Sequence, residues 1–382
     1  MMDMELPILF SFSLVSLFAL RIIAKKIQLV DTPSGRKQHQ GVIPLVGGIA
    51  IFGSVCVGIM LSPEIHTAPI LYLSCATILV LIGAIDDKYD ISVKSRLLVQ
   101  VLMSVVLIAV GDLKLTNLGN ISGFQELTLS TPLSYMITIF AILGAINAFN
   151  MVDGIDGLLG GLATVSFTAL GYLFWAGHQI NLYQFCVIFV VATIPYIMMN
   201  LGLPFGRRFK IFMGDAGSVF IGFTIVWLLV QGTQGEENSF RPVTALWIIA
   251  LPLMDMVTIM IRRIQKGQSP FKPDREHLHH ICQRVGLSQR MTLVTICSIA
   301  GLFAYIGILS EQYQIHEAVM FLSFLILFTL YYFMISHIWR ITSWLRKRSF
   351  QRTSFKTSSI KTQTHIRPQN LKQKLGTFTN QK

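Results

Sequence analysis

The sequence predicts an all-α fold, a polytopic integral membrane protein with about 11 transmembrane helices, its N-terminus periplasmic and its C-terminus cytoplasmic. Three observations carry this prediction. Hydrophobic residues make up 53% of the 382 and charged residues 13%, against about 25% charged in soluble domains. The apolar residues gather in runs close to the length that a helix needs to cross a bilayer core. The basic residues fall on alternate connections between those runs.

In order, the runs are 6–24, 42–61, 67–85, 97–111, 132–149, 158–176, 182–199, 216–231, 243–261, 291–309 and 318–338. Asp3 and Glu5 stand where a signal peptide would be basic, and no A-x-A site follows, so the first run reads as a retained span. Segments such as 70–85 and 321–333 are apolar on every side, whereas strands of a membrane barrel alternate. Of the 31 Lys and Arg, 28 lie in connections 25–41, 86–96, 150–157, 200–215 and 262–290 and in the tail from 339. The opposite connections hold only Lys114 and Arg241. Basic loops stay inside, which places the first set in the cytoplasm. Residues 1–345 read as one multi-spanning domain, and the basic, Ser/Thr/Gln-rich stretch 346–382 as a disordered cytoplasmic tail near anionic headgroups. The net charge of +12 thus marks membrane siding and not a nucleic-acid partner. Cys56, Cys75, Cys186, Cys282 and Cys297 form no C-x-x-C motif and read as free thiols.

The acids are the informative minority. Asp86, Asp87, Asp90, Asp153, Asp156 and Asp215 all lie at the predicted cytoplasmic ends of spans. In LIGAIDDKYD, a helix continued past the membrane surface sets Asp86, Asp87 and Asp90 on nearly one face, where a cation relieves their repulsion. A solvated acidic helix end is the plainer alternative. In NAFNMVDGIDGLLGG, Asp153 and Asp156 are one turn apart, as are Asn147 and Asn150. The glycines at 154, 157, 160 and 161 leave room for a turn, a ligand or a close helix. Helix capping accounts for one of those aspartates but not for the set.

In PFGRRFKIFMGDAGSVF, Asp215 is flanked by Gly214 and Gly217 and follows Arg207, Arg208 and Lys210. A carboxylate at a helix start beside cations suits a metal-bridged phosphate. For the three basic residues alone, membrane anchoring is the simpler reading. The loop IRRIQKGQSPFKPDREHLHH carries Arg262, Arg263, Lys266, Lys272 and Arg275, then His277, His279 and His280. Pro273-Asp274 offers a start for a short helix with His277 and His280 on one face. Without a cysteine or an HExxH pattern, a nucleotide-diphosphate clamp fits this loop better than a zinc site. A merely basic juxtamembrane loop leaves the three histidines unexplained.

Hard oxygen donors select Mg²⁺, with Mn²⁺ the alternative. The residues therefore predict metal-dependent phosphoryl chemistry on a lipid substrate at the cytoplasmic face. A transporter would place its ionisable groups near mid-bilayer, where Asp255 alone lies.

DDKYD at 86–90, NAFNMVDGIDGLLGG at 147–161, FMGDAGS at 212–218 and HLHH at 277–280 occur in the order found in the polyprenyl-phosphate N-acetylhexosamine-1-phosphate transferases, and the chain resembles that family. PSGRKQHQGVIPLVGG at 33–48 and QSPFKPDREHLHH at 268–280 look most like its bacterial undecaprenyl-phosphate, N-acetylglucosamine-using branch, which starts O-antigen and enterobacterial common antigen lipid intermediates. The resemblance implies an inner-membrane enzyme with UDP-N-acetylglucosamine and undecaprenyl phosphate as substrates, membrane lipids around it and a homo-oligomer left open. It implies Asp215 as a metal ligand with Asn150 a second, and Asp86 and Asp87 nearest the lipid phosphate. Asp153 and Asp156 would shape the catalytic centre, with Asp90 completing the first motif. Arg263, His277, His279 and His280 would hold the diphosphate, with Asn147 on the nucleotide-sugar side. Relatives that make peptidoglycan precursors typically carry Lys where Asp90 stands, which argues against a phospho-N-acetylmuramoyl-pentapeptide donor. Another UDP-N-acetylhexosamine remains the nearer alternative.

Overall fold

The computed structural model describes residues 2–32, 41–62, 70–235, 238–271 and 276–338. The expectations for 33–40, for Lys272 to Arg275 and for the tail 346–382 lie outside these. Two compact units are distinguished, Met1–Tyr332 and Phe333–Lys382. The site residues all belong to the first.

Among the described residues, nine of the eleven predicted apolar runs each fall on a single helix. The helices are α1 (Met2–Lys26), α2 (Gly47–Leu61), α3 (Ile70–Tyr89), α4 (Val93–Gly111), α5 (Thr131–Val152), α6 (Leu158–Ala176), α7 (Ile180–Asn200) and α8 (Gly214–Thr233). They continue as α9 (Pro242–Ile248), α10 (Ala250–Gln265), α11 (Leu278–Val285), α12 (Gln289–Gln312) and α13 (Glu317–Ile338). Local chemistry sets several ends. The Ser92 and Ser288 hydroxyls cap α4 and α12 by accepting from Ser95 and Met291 N–H. Pro132 and Pro242 open α5 and α9, where a missing N–H costs nothing.

Nine of these helices are long and apolar enough to cross a membrane, counted among the described residues. The polytopic helical architecture is as predicted; the two runs that depart from full spans do so for legible reasons. Run 42–61 begins as a strand, with β2 (Ile43–Pro44) pairing antiparallel with β1 (Val30–Asp31). The 15 residues left for α2 span only roughly 22 Å at helical rise. Run 243–261 breaks into α9 and α10, bent by 79°. Pro252 has no N–H to give Ile248 and its ring crowds that carbonyl, and Ile248 is where α9 ends.

At the centre stands α8, apolar on all sides, with 94% of its spanning window buried among α2, α3, α5 and α6. Small residues let backbones approach it closely. A Cβ on Gly48 would overlap the backbone of Gly217, one on Gly83 that of Ala216 and one on Gly222 that of Ile146. The chain entering α8 is also pinned from α2's side. Phe212 N–H donates to Pro44 O (2.9 Å), Gly47 N–H to Phe212 O (2.9 Å) and Gly48 N–H to Met213 O (2.9 Å). The VIPLVGG and FMGDAGS motifs are therefore one structural unit that fixes where α8 begins.

Candidate active site

Asp215 lies in the first turn of α8, and the site is built around it. Gly214 precedes it with φ +75°, a conformation open to glycine at little cost. A Cβ at 214 would also strike the Asp87 carboxylate. Asp87, near the end of α3, instead reaches the start of α8, where its Oδ1 accepts from Asp215 N–H (2.8 Å) and its Oδ2 from Ala216 N–H (3.3 Å). One helix thus caps another, and a carboxylate at a helix N-terminus is electrostatically favoured.

Asp86, one residue earlier and buried, binds the loop that follows, its Oδ1 accepting from Ile91 N–H (2.9 Å). Its Oδ2 accepts from Arg96 Nη1 at 2.6 Å, and the same nitrogen donates to Asp215 Oδ2 at 3.2 Å. Asn150, in the last turn of α5, donates from Nδ2 to Asp215 Oδ1 (2.7 Å) and Ser218 Oγ (2.8 Å). Residues 86, 87, 150 and 215, far apart in sequence, thereby share one hydrogen-bonded cluster with Arg96 as its bridging cation.

Beside the cluster opens a cavity of about 290 Å³ lined by Arg96, Asn147, Asn150, Asp153, Arg263 and the imidazoles of His277, His279 and His280. Asn147 donates to Gln100 Oε1 (3.2 Å) and Leu143 O (2.8 Å). Asp153 follows α5 and opens toward the cavity, yet the protein packed around it removes much of its water. That desolvation, then the charges of Asp215 and Asp156, push its carboxyl up to about 7. His279 is buried, and desolvation, followed by His280 and His277, pushes its imidazole down to about 3, so it is neutral at physiological pH. Gly154 makes this packing feasible, since a Cβ there would overlap the His279 ring. The rings of His277 and His279 lie parallel, 5.8 Å apart.

Two predicted residues sit apart from the cluster. The helix does not continue to Asp90: α3 ends at Tyr89, and Asp90 is an exposed left-handed residue (φ 51°). Asp90 therefore does not share the face of Asp86 and Asp87. Asp156 pairs with Lys210 (2.6 Å), tying the Asp153–Gly157 turn to the segment that leads into α8. Among the described residues no three His, Cys, Asp or Glu side chains converge as a metal cage. The Asp215 carboxylate and the Asn150 side-chain oxygen are hard donors of the kind that Mg²⁺ accepts in sites with one or two carboxylates.

The glycosyl transferase family 4 model matches residues 69–233. The chain is 50% identical to the undecaprenyl-phosphate alpha-N-acetylglucosaminyl 1-phosphate transferase of Yersinia pestis over 356 residues, 92% of this chain and 97% of that protein. The transferase of that name from Escherichia coli (strain K12) is 48% identical over 344 residues, 90% of this chain and 93% of its own length. The one from Haemophilus influenzae is 47% identical, covering 87% and 94%. The chain belongs to the undecaprenyl-phosphate alpha-N-acetylglucosaminyl 1-phosphate transferase family.

Membership in this transferase family agrees with the resemblance carried by the four motifs. The sequence analysis groups Arg96 with the membrane-siding charges and sets Lys210 beside Asp215, with anchoring as its simpler reading; neither spacing announces the partners found, Asp86 and Asp215 for Arg96 and Asp156 for Lys210. A weak signal existed for Arg96: it lies one turn into α4, just across a tight connection from the first acidic motif.

Proposed function

We propose that this chain transfers N-acetylglucosamine 1-phosphate from UDP-N-acetylglucosamine to undecaprenyl phosphate, giving undecaprenyl-diphospho-N-acetylglucosamine and UMP. The observation that carries the reading is the junction of the Asp86–Asp87–Asp215 cluster with a cavity walled by Arg263 and three histidines. A phosphate oxygen of the lipid attacks the sugar-linked phosphorus. The bond to the bridging oxygen breaks, UMP leaves with the electron pair, and the phosphosugar moves whole. The attacking phosphate is already anionic, so a strong base is not required. Arg263 and the cavity imidazoles hold the diphosphate, with His279 acting as a neutral hydrogen-bonding group. Arg96 shields Asp86 from Asp215 and offers a guanidinium to an incoming phosphate.

Asp215, with Asn150 beside it, would hold Mg²⁺ or Mn²⁺. A bound divalent ion supplies charge neutralisation on the diphosphate. The distribution of basic residues over alternate connections supports a site on the cytoplasmic face of the inner membrane, with the N-terminus outside. The product would open O-antigen or enterobacterial common antigen assembly. Purified protein given UDP-N-acetylglucosamine, undecaprenyl phosphate and Mg²⁺ should release UMP, and EDTA should stop it. No UMP from any UDP-N-acetylhexosamine would sink the proposal.

Two further outcomes are expected. Turnover should fall as pH drops through about 7, because protonation removes the Asp153 charge from the cavity; Asp153→Asn should flatten that limb in a pH–rate profile. For stability the sign is opposite. Partial desolvation and the Asp215 and Asp156 charges favour the protonated carboxyl, so its contribution is present below the ordinary Asp value and lost as pH rises through about 7. Gly154→Ala should raise the UDP-N-acetylglucosamine KM about tenfold by displacing His279, an overpacking effect of about 1–3 kcal/mol. Steady-state kinetics on the two variants check both.

A further inference from the structure

Asp255 is a buried carboxylate inside α10, and the transfer chemistry gives it no task. Three donors surround it. His277 Nδ1 lies 2.7 Å from its Oδ2, while Oδ1 accepts from Tyr331 O–H (2.7 Å) and from Leu278 N–H (3.1 Å). The Leu278 contact is at the N-terminus of α11, so this one side chain anchors the histidine helix as well as the histidine. A carboxylate can only accept, so His277 must present Nδ1–H to it. On the far side of the ring, Nε2 meets Arg263 Nη2 at 3.4 Å. A guanidinium can only donate, which makes Nε2 the acceptor. Arg263 is held from the other side by Pro270 O (2.5 Å from Nη1) and lines the cavity.

The donor–acceptor order Tyr331→Asp255←His277←Arg263 is therefore consistent in one tautomer only. We infer that Asp255, supported by Tyr331, is a positioning residue: it locks His277 as the Nδ1–H tautomer so that Nε2 holds Arg263 aimed at the diphosphate of the nucleotide sugar. The inference rests on the proposed transferase function for its kinetic consequence, but its tautomer consequence does not. Tyr331 belongs to α13, so a helix carrying no residue of the cavity wall nonetheless helps set the geometry of that wall.

Asp255→Asn keeps the shape and reverses the polarity. An Asn amide nitrogen facing Nδ1 favours the Nε2–H tautomer, which would point a donor at the guanidinium. In this variant the KM for UDP-N-acetylglucosamine should rise roughly 10–100-fold, as when an outer-shell partner of a histidine is removed. The KM for undecaprenyl phosphate should not change. In an Arg263→Ala background the same substitution should add almost nothing, because its effect runs through Arg263. An unchanged nucleotide-sugar KM, equal losses for both substrates, or full additivity with Arg263→Ala would each overturn the assignment.

Nitrogen-15 spectra of histidine-labelled protein, with the His277 signal assigned by its loss in His277→Gln, give a readout independent of turnover. Wild type should show a protonated Nδ1 and an unprotonated Nε2, exchanged in Asp255→Asn. The same tautomer in both overturns the inference even if the protein releases no UMP. That separates its failure from failure of the transferase reading. Should Asp255→Asn not insert, Tyr331→Phe carries the test, with an expected rise of about threefold in the nucleotide-sugar KM from one lost hydrogen bond. A Tyr331→Phe enzyme indistinguishable from wild type then rejects it.

Discussion

Asp215→Ala is expected to lower UMP release by about 10³-fold, the scale on which removal of a preorganised polar group from a reacting centre acts, while the protein still inserts and purifies. The loss should appear in kcat, and extra Mg²⁺ should not restore it. Asp215 is the meeting point of the cluster: Asn150 and Arg96 donate to its two oxygens, and Asp87 accepts its backbone N–H. Alanine leaves that N–H, the Asp87 cap and the α8 start in place, so fold and chemistry separate cleanly. Arg96 would keep its 2.6 Å bond to Asp86. Substantial turnover in this variant would remove Asp215 from the centre of the mechanism.

Gly48→Ala is expected to destabilise the protein by about 3 kcal/mol, the upper end of ordinary overpacking. The new Cβ would overlap the backbone of Gly217 and crowd that of Ala216, and backbone cannot swing aside as a side chain does. α2 and α8 would have to part, pulling on the Phe212–Met213 hydrogen bonds that fix the first turn of α8. Turnover should fall together with thermal stability in detergent. Gly53→Ala supplies the control: it lies on the same helix with open space at its Cβ position. There the change should be neutral or stabilising by up to about 1 kcal/mol. Equal melting temperatures for the two variants would discard the close-contact account.

What the sequence disclosed, and what it withheld, follows from the range of the interactions. Apolar runs are local, and nine of the eleven each fall on a single helix. The break at Pro252 and the late start of α2 after Pro44 are also local, written in residues whose constraints are well understood; the 243–261 and 42–61 readings overlooked them. Asp86, Asp87, Asn150 and Asp215 stood out because carboxylates and amides at the ends of apolar spans demand an explanation. Their mutual arrangement was not readable, since it depends on α3, α5 and α8 meeting. The assumption of a continuous helix through Asp90 failed because nothing in DDKYD announces the left-handed turn. Arg96 and Asp255 were the harder cases. One was hidden among cations that serve membrane siding, the other looked like an isolated intramembrane acid until His277 was seen against it.

Packed on all sides by other helices, α8 presents almost no surface to acyl chains. Shifts in bilayer thickness or fluidity therefore have no direct route to Asp215; they must first move α2, α3 or α5, whose backbones touch α8 across glycine. The position of Asp215 is thus set by its neighbouring helices and not by the bilayer.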